Sequence, residues 1–186
     1  MRKFKTLLLG IVISCVTSTT FGESSPVQLD TKHLYAGLLV IVKVNGLPVF
    51  IMNRRAEEIA ALRAAHAGNH AKINGCVKCD PILRSVSPDY LVVWCYNPAA
   101  GCQLIYAAST ATDWVGHPVN GHGGFVDKCS GTEYDLSGRK LSGPDSSPDE
   151  LAIPTYTIQK GVISVFSSSP SERQRAVVSG TKNSQP

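Results

Sequence analysis

Two histidines and two cysteines lie within fourteen residues of one another, in the pattern His66-x₃-His70-x₅-Cys76-x₂-Cys79. Imidazole and thiolate groups are the usual ligands of structural zinc, and four of them complete a tetrahedral site. His66 and His70 are four residues apart, so they would share one face of a helix that ran through both. The pattern makes these four residues a candidate zinc- or thiol-dependent site.

Other interpretations of this cluster fit the sequence better. Gly68 and Asn69 would end a helix before His70, and the spacing matches no standard zinc finger. In an oxidising compartment Cys76 and Cys79 can pair as a short-loop disulfide, which is the interpretation we favour. A redox-active C-x-x-C normally opens a helix after a strand, and this one does not. Free or intermolecular thiols are the remaining alternatives.

The other residues with reactive side chains form no known catalytic pattern. His117 and His122 lie in a stretch rich in glycine and proline and are interpreted as solvated loop histidines. Asp127, Glu133 and Asp135 fall in one segment, where exposed charges are the expected state. The chain contains no G-x-S-x-G, no phosphate loop and no H-E-x-x-H. We therefore predict no catalytic residue.

The hydrophobic pattern predicts a mainly β-structured chain. Short apolar runs bounded by turn residues are typical of strands, and the turns at Asn45-Gly46 and Lys160-Gly161 each predict a hairpin. The predicted strands cover residues 38–42, 48–52, 90–94, 103–107, 153–158 and 162–166. Residues 54–67 are rich in Ala, Glu, Arg and Leu near helical spacing and predict one short helix. The fold class predicted from this pattern is all-β with long loops.

Two segments carry a more specific signal. Residues 94–102 read W-C-Y-N-P-A-A-G-C, and residues 127–139 read D-K-C-S-G-T-E-Y-D-L-S-G-R. Both resemble the Rieske iron–sulfur subunit of cytochrome bc complexes, which carries C-T-H-L-G-C and C-P-C-H-G-S-x-Y-D-x-x-G-R. The resemblance runs in order from about residue 35 to residue 166. It implies a Rieske-like antiparallel β-sandwich with a small tip subdomain made of the two loops.

The four positions that hold the cluster in the Rieske family have changed here. The family places two thiolates on one iron and two imidazoles on the other. By the resemblance, the thiolate positions fall on Asn97 and Asp127, and the imidazole positions fall on Ala99 and Ser130. Ala99 has no donor atom, and Asp127 offers a hard oxygen unsuited to an iron–sulfide core. We therefore expect no [2Fe–2S] cluster and no other cofactor or metal.

The resemblance also assigns the remaining cysteines and two supporting residues. It pairs Cys102 with Cys129 in a structural disulfide between the two loops, of the kind that contributes ~2–4 kcal/mol. It places Thr132 and Tyr134 where the family has a Ser and a Tyr that support the cluster, so here we expect both to bond to the loop backbone. Five cysteines follow residue 15, an odd number, and Cys95 is interpreted as a buried free thiol.

The N-terminal residues have the composition of a secretory signal. Residues 1–5 are basic, and residues 6–14 form an apolar run that is shorter than the about 20 residues needed to span a bilayer. A cut after residue 22 gives a signal peptide over residues 1–22. The sequence V-I-S-C offers an alternative lipoprotein signal that would end before Cys15 and place a lipid on it.

Loss of this signal would lower the formal charge of the chain from +4 to +1, because it contains three basic residues and no acid. A nearly neutral chain has no electrostatic footprint for nucleic acid. After the signal we predict a spacer over residues 23–34, a Rieske-like domain over residues 35–166 and a disordered tail over residues 167–186.

These features predict an exported, non-catalytic binding or scaffold protein of the bacterial periplasm or the periplasm-facing membrane surface. Its expected partners are proteins of a cell-envelope or respiratory assembly, by analogy with the Rieske tip. The first alternative is an electron-transfer Rieske subunit of a ubiquinol–cytochrome c reductase-type complex, the one enzymatic role that the resemblance implies. The second is a zinc- or thiol-dependent protein that uses His66, His70, Cys76 and Cys79.

Overall fold

The structure is a computed structural model that describes residues 25–68, 73, 76, 78–97, 101–108 and 123–166. These residues form antiparallel strands, one α-helix and one short 3₁₀ turn, so the predicted all-β class is confirmed. The strands, in chain order, are β1 (Val27–Asp30), β2 (Leu39–Val44), β3 (Leu47–Asn53), β4 (Tyr90–Trp94), β5 (Tyr96–Asn97), β6 (Cys102–Ala107), β7 (Gly124–Asp127), β8 (Thr132–Tyr134), β9 (Lys140–Ser142), β10 (Tyr156–Gln159) and β11 (Val162–Val165). The helix α1 is Ala56–Ala65, and the 3₁₀ turn is Thr31–His33.

The strands form three sheets with the orders β1-β11-β10, β2-β3-β4 and β5-β6-β7-β8-β9. The core lies on β3 and β4, where both faces are covered and consecutive apolar side chains are buried. Phe50 of β3 stacks on Phe125 of β7, with 5.0 Å between the ring centroids. This contact joins the central sheet to the five-stranded sheet, which carries the two Rieske-like loops.

Two hairpin turns agree with the sequence pattern. Asn45 and Gly46 between β2 and β3 have φ of 50° and 79°. Lys160 and Gly161 between β10 and β11 have φ of 48° and 76°. Two successive residues with positive φ are the requirement of a type I′ turn, whose twist suits a two-residue hairpin. The two hairpins predicted around these turns are both present, with bounds shifted by one to three residues.

The structure differs from the predicted spacer over residues 23–34. Strand β1 lies inside that range and pairs with β11, with Val27 opposite Val165. The half-buried Val27 and Leu29 alternate with exposed neighbours, as a strand with one covered face requires. Two apolar residues are too short a pattern to predict a strand. The partner strand gives no local signal either, because it lies more than a hundred residues away.

Helix α1 is shorter than predicted, and no helix among the described residues is long and apolar enough to cross a membrane. Its first turn is closed by Glu58, whose carboxylate accepts from the backbone N–H of Arg55 at 2.7 Å. The main-chain N–H of His66 still bonds to the carbonyl of Leu62 at 3.0 Å, which ends the helix. His66 is therefore the C-cap residue of the helix.

Two buried arginines attach the chain after β8 to the base of the domain. Arg54, directly after β3, donates to the carbonyl of Leu136 at 3.0 Å. Arg84 donates to the carbonyls of Ser137 at 2.9 Å and Leu151 at 2.8 Å. Burial lowers the pKa of both guanidinium groups to about 10, so both remain charged at neutral pH. These acceptors are main-chain atoms, and Arg84 also forms an ion pair with the carboxylate of Glu150 at 3.2 Å.

Candidate functional site

The two Rieske-like loops meet at one disulfide. Cys102, the first residue of β6, is bonded to Cys129 in the turn after β7, with 6.2 Å between the Cα atoms. This is the pairing that the family resemblance implies. We call the bridged loops, residues 95–103 and 127–132, the tip. Of the tip, residues 98–100 lie outside the described part of the chain, and Ala99 is among them.

Three of the four positions that the resemblance assigns to cluster ligands lie together in the tip, where the side chain of Asp127 contacts those of Asn97 and Ser130. Asp127 ends β7, is fully buried, and accepts from Asn97 Nδ2 and from Ser130 Oγ, both at 2.7 Å, through Oδ2. Its Oδ1 accepts from the backbone N–H of Cys129 at 2.9 Å. A main-chain hydrogen bond closes the same turn, because the N–H of Gly131 donates to the carbonyl of Asp127 at 2.7 Å. We call Asn97, Asp127 and Ser130 the polar triad.

The electrostatics of the triad favour a charged Asp127. Burial raises the pKa of this carboxyl, but hydrogen bonds from Asn97, Ser130 and the Cys129 N–H stabilise the anion and outweigh the desolvation. The net result is a pKa below the ordinary value for aspartate. The triad therefore holds one negative charge at neutral pH.

Thr132 and Tyr134 depart from the expected backbone bonds. The hydroxyl of Thr132 lies 2.7 Å from Ser130 Oγ and donates to Ser147 Oγ at 2.6 Å. The hydroxyl of Tyr134 is buried and has no hydrogen-bond partner among the described residues. Burial also raises the pKa of Tyr134 to about 12, so the phenol stays neutral. Ser147, which accepts this hydrogen bond, belongs to no sequence motif, so its role could not be predicted from the sequence.

The residues at the tip do not fit a [2Fe–2S] cluster. Such a cluster needs two thiolates and two imidazoles, whereas the described ligand positions offer an amide, a carboxylate and a hydroxyl. Asn97 and Ser130 each donate a hydrogen bond to Asp127 at 2.7 Å, so these three side chains fill the space between the three ligand positions. The nearby sulfurs of Cys102 and Cys129 are bonded to each other.

The candidate zinc residues are divided between two other interactions. Cys76 and Cys79 form a disulfide, with 5.5 Å between their Cα atoms. His66 Nε2 lies 2.6 Å from Asp135 Oδ2, and His70 lies outside the described residues. The structure therefore does not bring the described members of this set together as metal ligands.

Asp135, like Asp127, is buried, whereas the sequence predicts exposed charges at both positions. Its Oδ1 accepts from the N–H and the hydroxyl of Ser137, each at 2.7 Å, and from the N–H of Arg139 at 3.0 Å. A cavity of about 160 Å³ lies beside it and is lined by His66 and Leu136. Sequence reasoning missed the contact between Asp135 and His66 because the two are 69 residues apart.

The remaining candidate residues are Cys95, Glu133, the two loop histidines and Cys15. Cys95 is a free, buried thiol whose pKa burial raises to about 11, which disfavours the reactive thiolate. Glu133 is half-buried and accepts from Ser142 Oγ at 3.1 Å. The loop histidines at 117 and 122, and the lipidation candidate at 15, lie outside the described residues.

The all-β frame and the two loops joined by a disulfide define a domain of the Rieske class. The chain is 30% identical over 142 residues to the "Ubiquinol-cytochrome c reductase iron-sulfur subunit" of Blastochloris viridis, a match that covers 75% of this chain and 69% of that protein. The protein of the same description from Allochromatium vinosum is 30% identical over 143 residues, which cover 73% of this chain and 66% of that protein. The chain belongs to the family of Rieske iron–sulfur subunits.

A plant relative is more distant. The "Cytochrome b-c1 complex subunit Rieske-1, mitochondrial" of Arabidopsis thaliana is 27% identical over 151 residues, which cover 81% of this chain and 49% of that protein. The chain thus spans about two thirds of the bacterial relatives and about half of the plant one. No family model matches the chain. The similarity concerns the domain rather than the whole of each relative.

Proposed function

We propose that this chain is an exported Rieske-like domain that has lost its iron–sulfur cluster and acts as a non-catalytic binding or scaffold component of a cell-envelope or respiratory assembly. The observation that carries the proposal is the polar triad. Its members stand at positions that the resemblance assigns to cluster ligands; Asp127 contacts the other two, and none of the three supplies a thiolate or an imidazole. Asp127 keeps a buried charge that these neutral donors stabilise, which supports a tip that forms without iron.

The disulfide and the hydrogen bonds that hold the tip together support a binding role. The disulfide between Cys102 and Cys129 fixes the two loops, and the Thr132–Ser147 hydrogen bond ties the second loop to the chain after β9. Lys128 is exposed at this end of the domain. A loop frame kept in this form offers a surface for a protein partner even when its redox chemistry is absent.

The cluster is tested on the full chain purified from an iron-replete host. We expect a colourless protein with well under one iron atom per chain and no reduced-state electron paramagnetic resonance signal. The Blastochloris viridis subunit, produced in the same host, serves as the control for cluster loading. Roughly two iron and two acid-labile sulfide atoms per chain would overturn the proposal. That result would favour the electron-transfer alternative, which the descriptions of the relatives support.

The binding role is tested by crosslinking and affinity capture from envelope membranes of the source organism. Lys128→Glu reverses a charge at the tip, and Lys160→Glu reverses an exposed charge in the turn between β10 and β11, which belong to a different sheet. We expect the wild type and Lys160→Glu to retain the same protein and Lys128→Glu to lose it. Identical capture by all three proteins, or no specific partner, would contradict docking through the tip.

Export and tethering belong to the same proposal. The signal-like N-terminus supports a place in the periplasm or on the periplasm-facing membrane surface. Fractionation of cells that produce the full chain tests it, and Cys15→Ser separates the two forms. Release from the membrane fraction by this change supports a lipid anchor, whereas a cytoplasmic wild-type protein would overturn export. Zinc analysis with thiol counting tests the second alternative, at His66, His70, Cys76 and Cys79.

A further inference from the structure

The tip contains a second set of metal-ligand types besides the polar triad. The Sγ atoms of Cys102 and Cys129 and a carboxylate oxygen of Asp127 all lie within 4.8 Å of one another. Tetrahedral zinc with bonds of about 2.0–2.3 Å places its ligand atoms ~3.3–3.8 Å apart. The three donors are therefore within a small side-chain adjustment of a shared metal position.

The disulfide decides whether these donors are available. While Cys102 and Cys129 are bonded to each other, neither sulfur is a thiolate. A dithiol reductant would give two electrons and two protons to the S–S bond and leave as its own disulfide. A zinc ion would then displace the two thiol protons to solvent and bind both sulfurs as thiolates.

We propose that reduction of the Cys102–Cys129 disulfide converts the tip into a Zn²⁺ site made of two thiolates and the Asp127 carboxylate. The disulfide and the metal are then alternative states of the same three residues, and either state joins the two loops. The inference does not rest on the proposed docking role.

Asp127 is what distinguishes this site from a simple pair of thiols. The carboxylate is fully buried at the end of β7, and the donors that contact it are an amide, a hydroxyl and backbone N–H groups, all of them neutral. A buried anion held only by neutral donors gains further stabilisation from an adjacent cation. The N–H of Cys129 donates to Oδ1, which already orients the carboxylate beside one of the sulfurs.

The donor chemistry favours zinc over a hard cation. Two thiolates with one carboxylate match the sulfur and oxygen ligands that zinc accepts, whereas Mg²⁺ and Ca²⁺ prefer oxygen alone. Three protein ligands leave a fourth tetrahedral position for water. Cys129 is exposed and Cys102 half-buried, so a reductant and a metal can reach the sulfurs from solvent.

The test must separate this site from the other thiols. Reduction also opens Cys76–Cys79, so the measurements use the otherwise complete chain with Cys76→Ser and Cys79→Ser. This protein, reduced by a phosphine and freed of metal, is titrated with Co²⁺ and then with Zn²⁺ under nitrogen. We expect one metal per chain, a thiolate-to-cobalt charge-transfer band and the visible bands of tetrahedral Co²⁺. The oxidised form of the same protein should bind neither metal.

Two variants and one spectrum make the test decisive. Asp127→Asn should weaken zinc binding at least about tenfold, and Cys102→Ser with Cys129→Ser should abolish it. Zinc X-ray absorption of the reduced protein needs no change at the tip, and it should show two sulfur and two oxygen or nitrogen neighbours.

Several outcomes would overturn the proposal. These are no charge-transfer band on reduction, equal binding by the oxidised protein, binding that survives loss of both cysteines, or zinc with no oxygen ligand. A reduced protein that unfolds and that zinc does not refold, followed by circular dichroism, overturns it as well.

Discussion

The two disulfides close very different lengths of chain. Cys102 and Cys129 are separated by 27 positions and join two loops of the five-stranded sheet, whereas Cys76 and Cys79 are separated by 3 and close a single turn. In the chain-entropy account, a loop of the longer size stabilises the fold by about 4 kcal/mol and one of the shorter size by about 2 kcal/mol. The tip bridge should therefore contribute more to the stability of the fold than the bridge that closes the turn.

The largest effect should follow from removing the tip bridge. Cys102→Ser with Cys129→Ser should lower the free energy of unfolding by about 3–4 kcal/mol, because the unfolded chain regains the entropy of a long loop. Urea denaturation of the oxidised protein, followed by tryptophan fluorescence, measures the change. A loss below about 1 kcal/mol would show that the strand pairing of the five-stranded sheet holds the tip without the bridge.

A smaller loss should follow from Asp127→Asn, which leaves the bridge in place. The variant removes charge-assisted hydrogen bonds and should cost about 1.5–3 kcal/mol at neutral pH. Because the pKa of Asp127 is lowered in the folded state, the wild-type carboxylate stabilises the fold above the ordinary aspartate pKa. That contribution is lost as the pH falls through the lowered value.

The acid arm of that prediction separates the carboxylate from other effects. The difference in unfolding free energy between wild type and Asp127→Asn should shrink from pH 7 towards pH 2, measured by denaturation at several pH values. A difference that stays constant across this range would mean that folding does not shift the pKa of Asp127.

Removing the turn disulfide should have a lesser effect than removing the tip bridge. Cys76→Ser with Cys79→Ser should lower the free energy of unfolding by about 2 kcal/mol or less, since only a short loop is released. The same urea titration measures it. A loss equal to that of the tip pair would break the contrast between the two bridges.

The smallest effect should come from His66→Ala. It removes one hydrogen bond to Asp135, whose other oxygen still has its donors from Ser137 and Arg139, so we expect about 1 kcal/mol. His33→Ala, at an exposed histidine, is the matched control and should change little. A loss above about 3 kcal/mol would show that this pair is central to the fold.

The sequence predicts the buried frame better than the polar contacts. Strands β3 and β4 follow from continuous apolar runs, and the turn at Asn45-Gly46 follows from its residue types. The bridge between Cys102 and Cys129 comes from the family resemblance and not from spacing, because five cysteines allow several pairings. β1 escapes prediction because its pairing energy comes from a strand at the other end of the domain.

The polar contacts depend on distances in space that a sequence does not record. Asp135 has the residue type of an exposed charge, yet it is buried because His66 comes to it from another element. The polar triad also depends on such distances. The family resemblance identifies the three positions, but the hydrogen bonds from Asn97 and Ser130 to Asp127 can be recognised only once the two loops are brought together.

The pairing of β1 with β11 determines how the domain is joined to the rest of the chain. Val27 lies opposite Val165, so the strand that enters the domain and the strand that leaves it are neighbours in one small sheet. Whatever precedes residue 27 and whatever follows residue 165 is attached at neighbouring points. A load applied through both attachments would peel this strand pair apart one hydrogen bond at a time, instead of shearing the whole ladder at once.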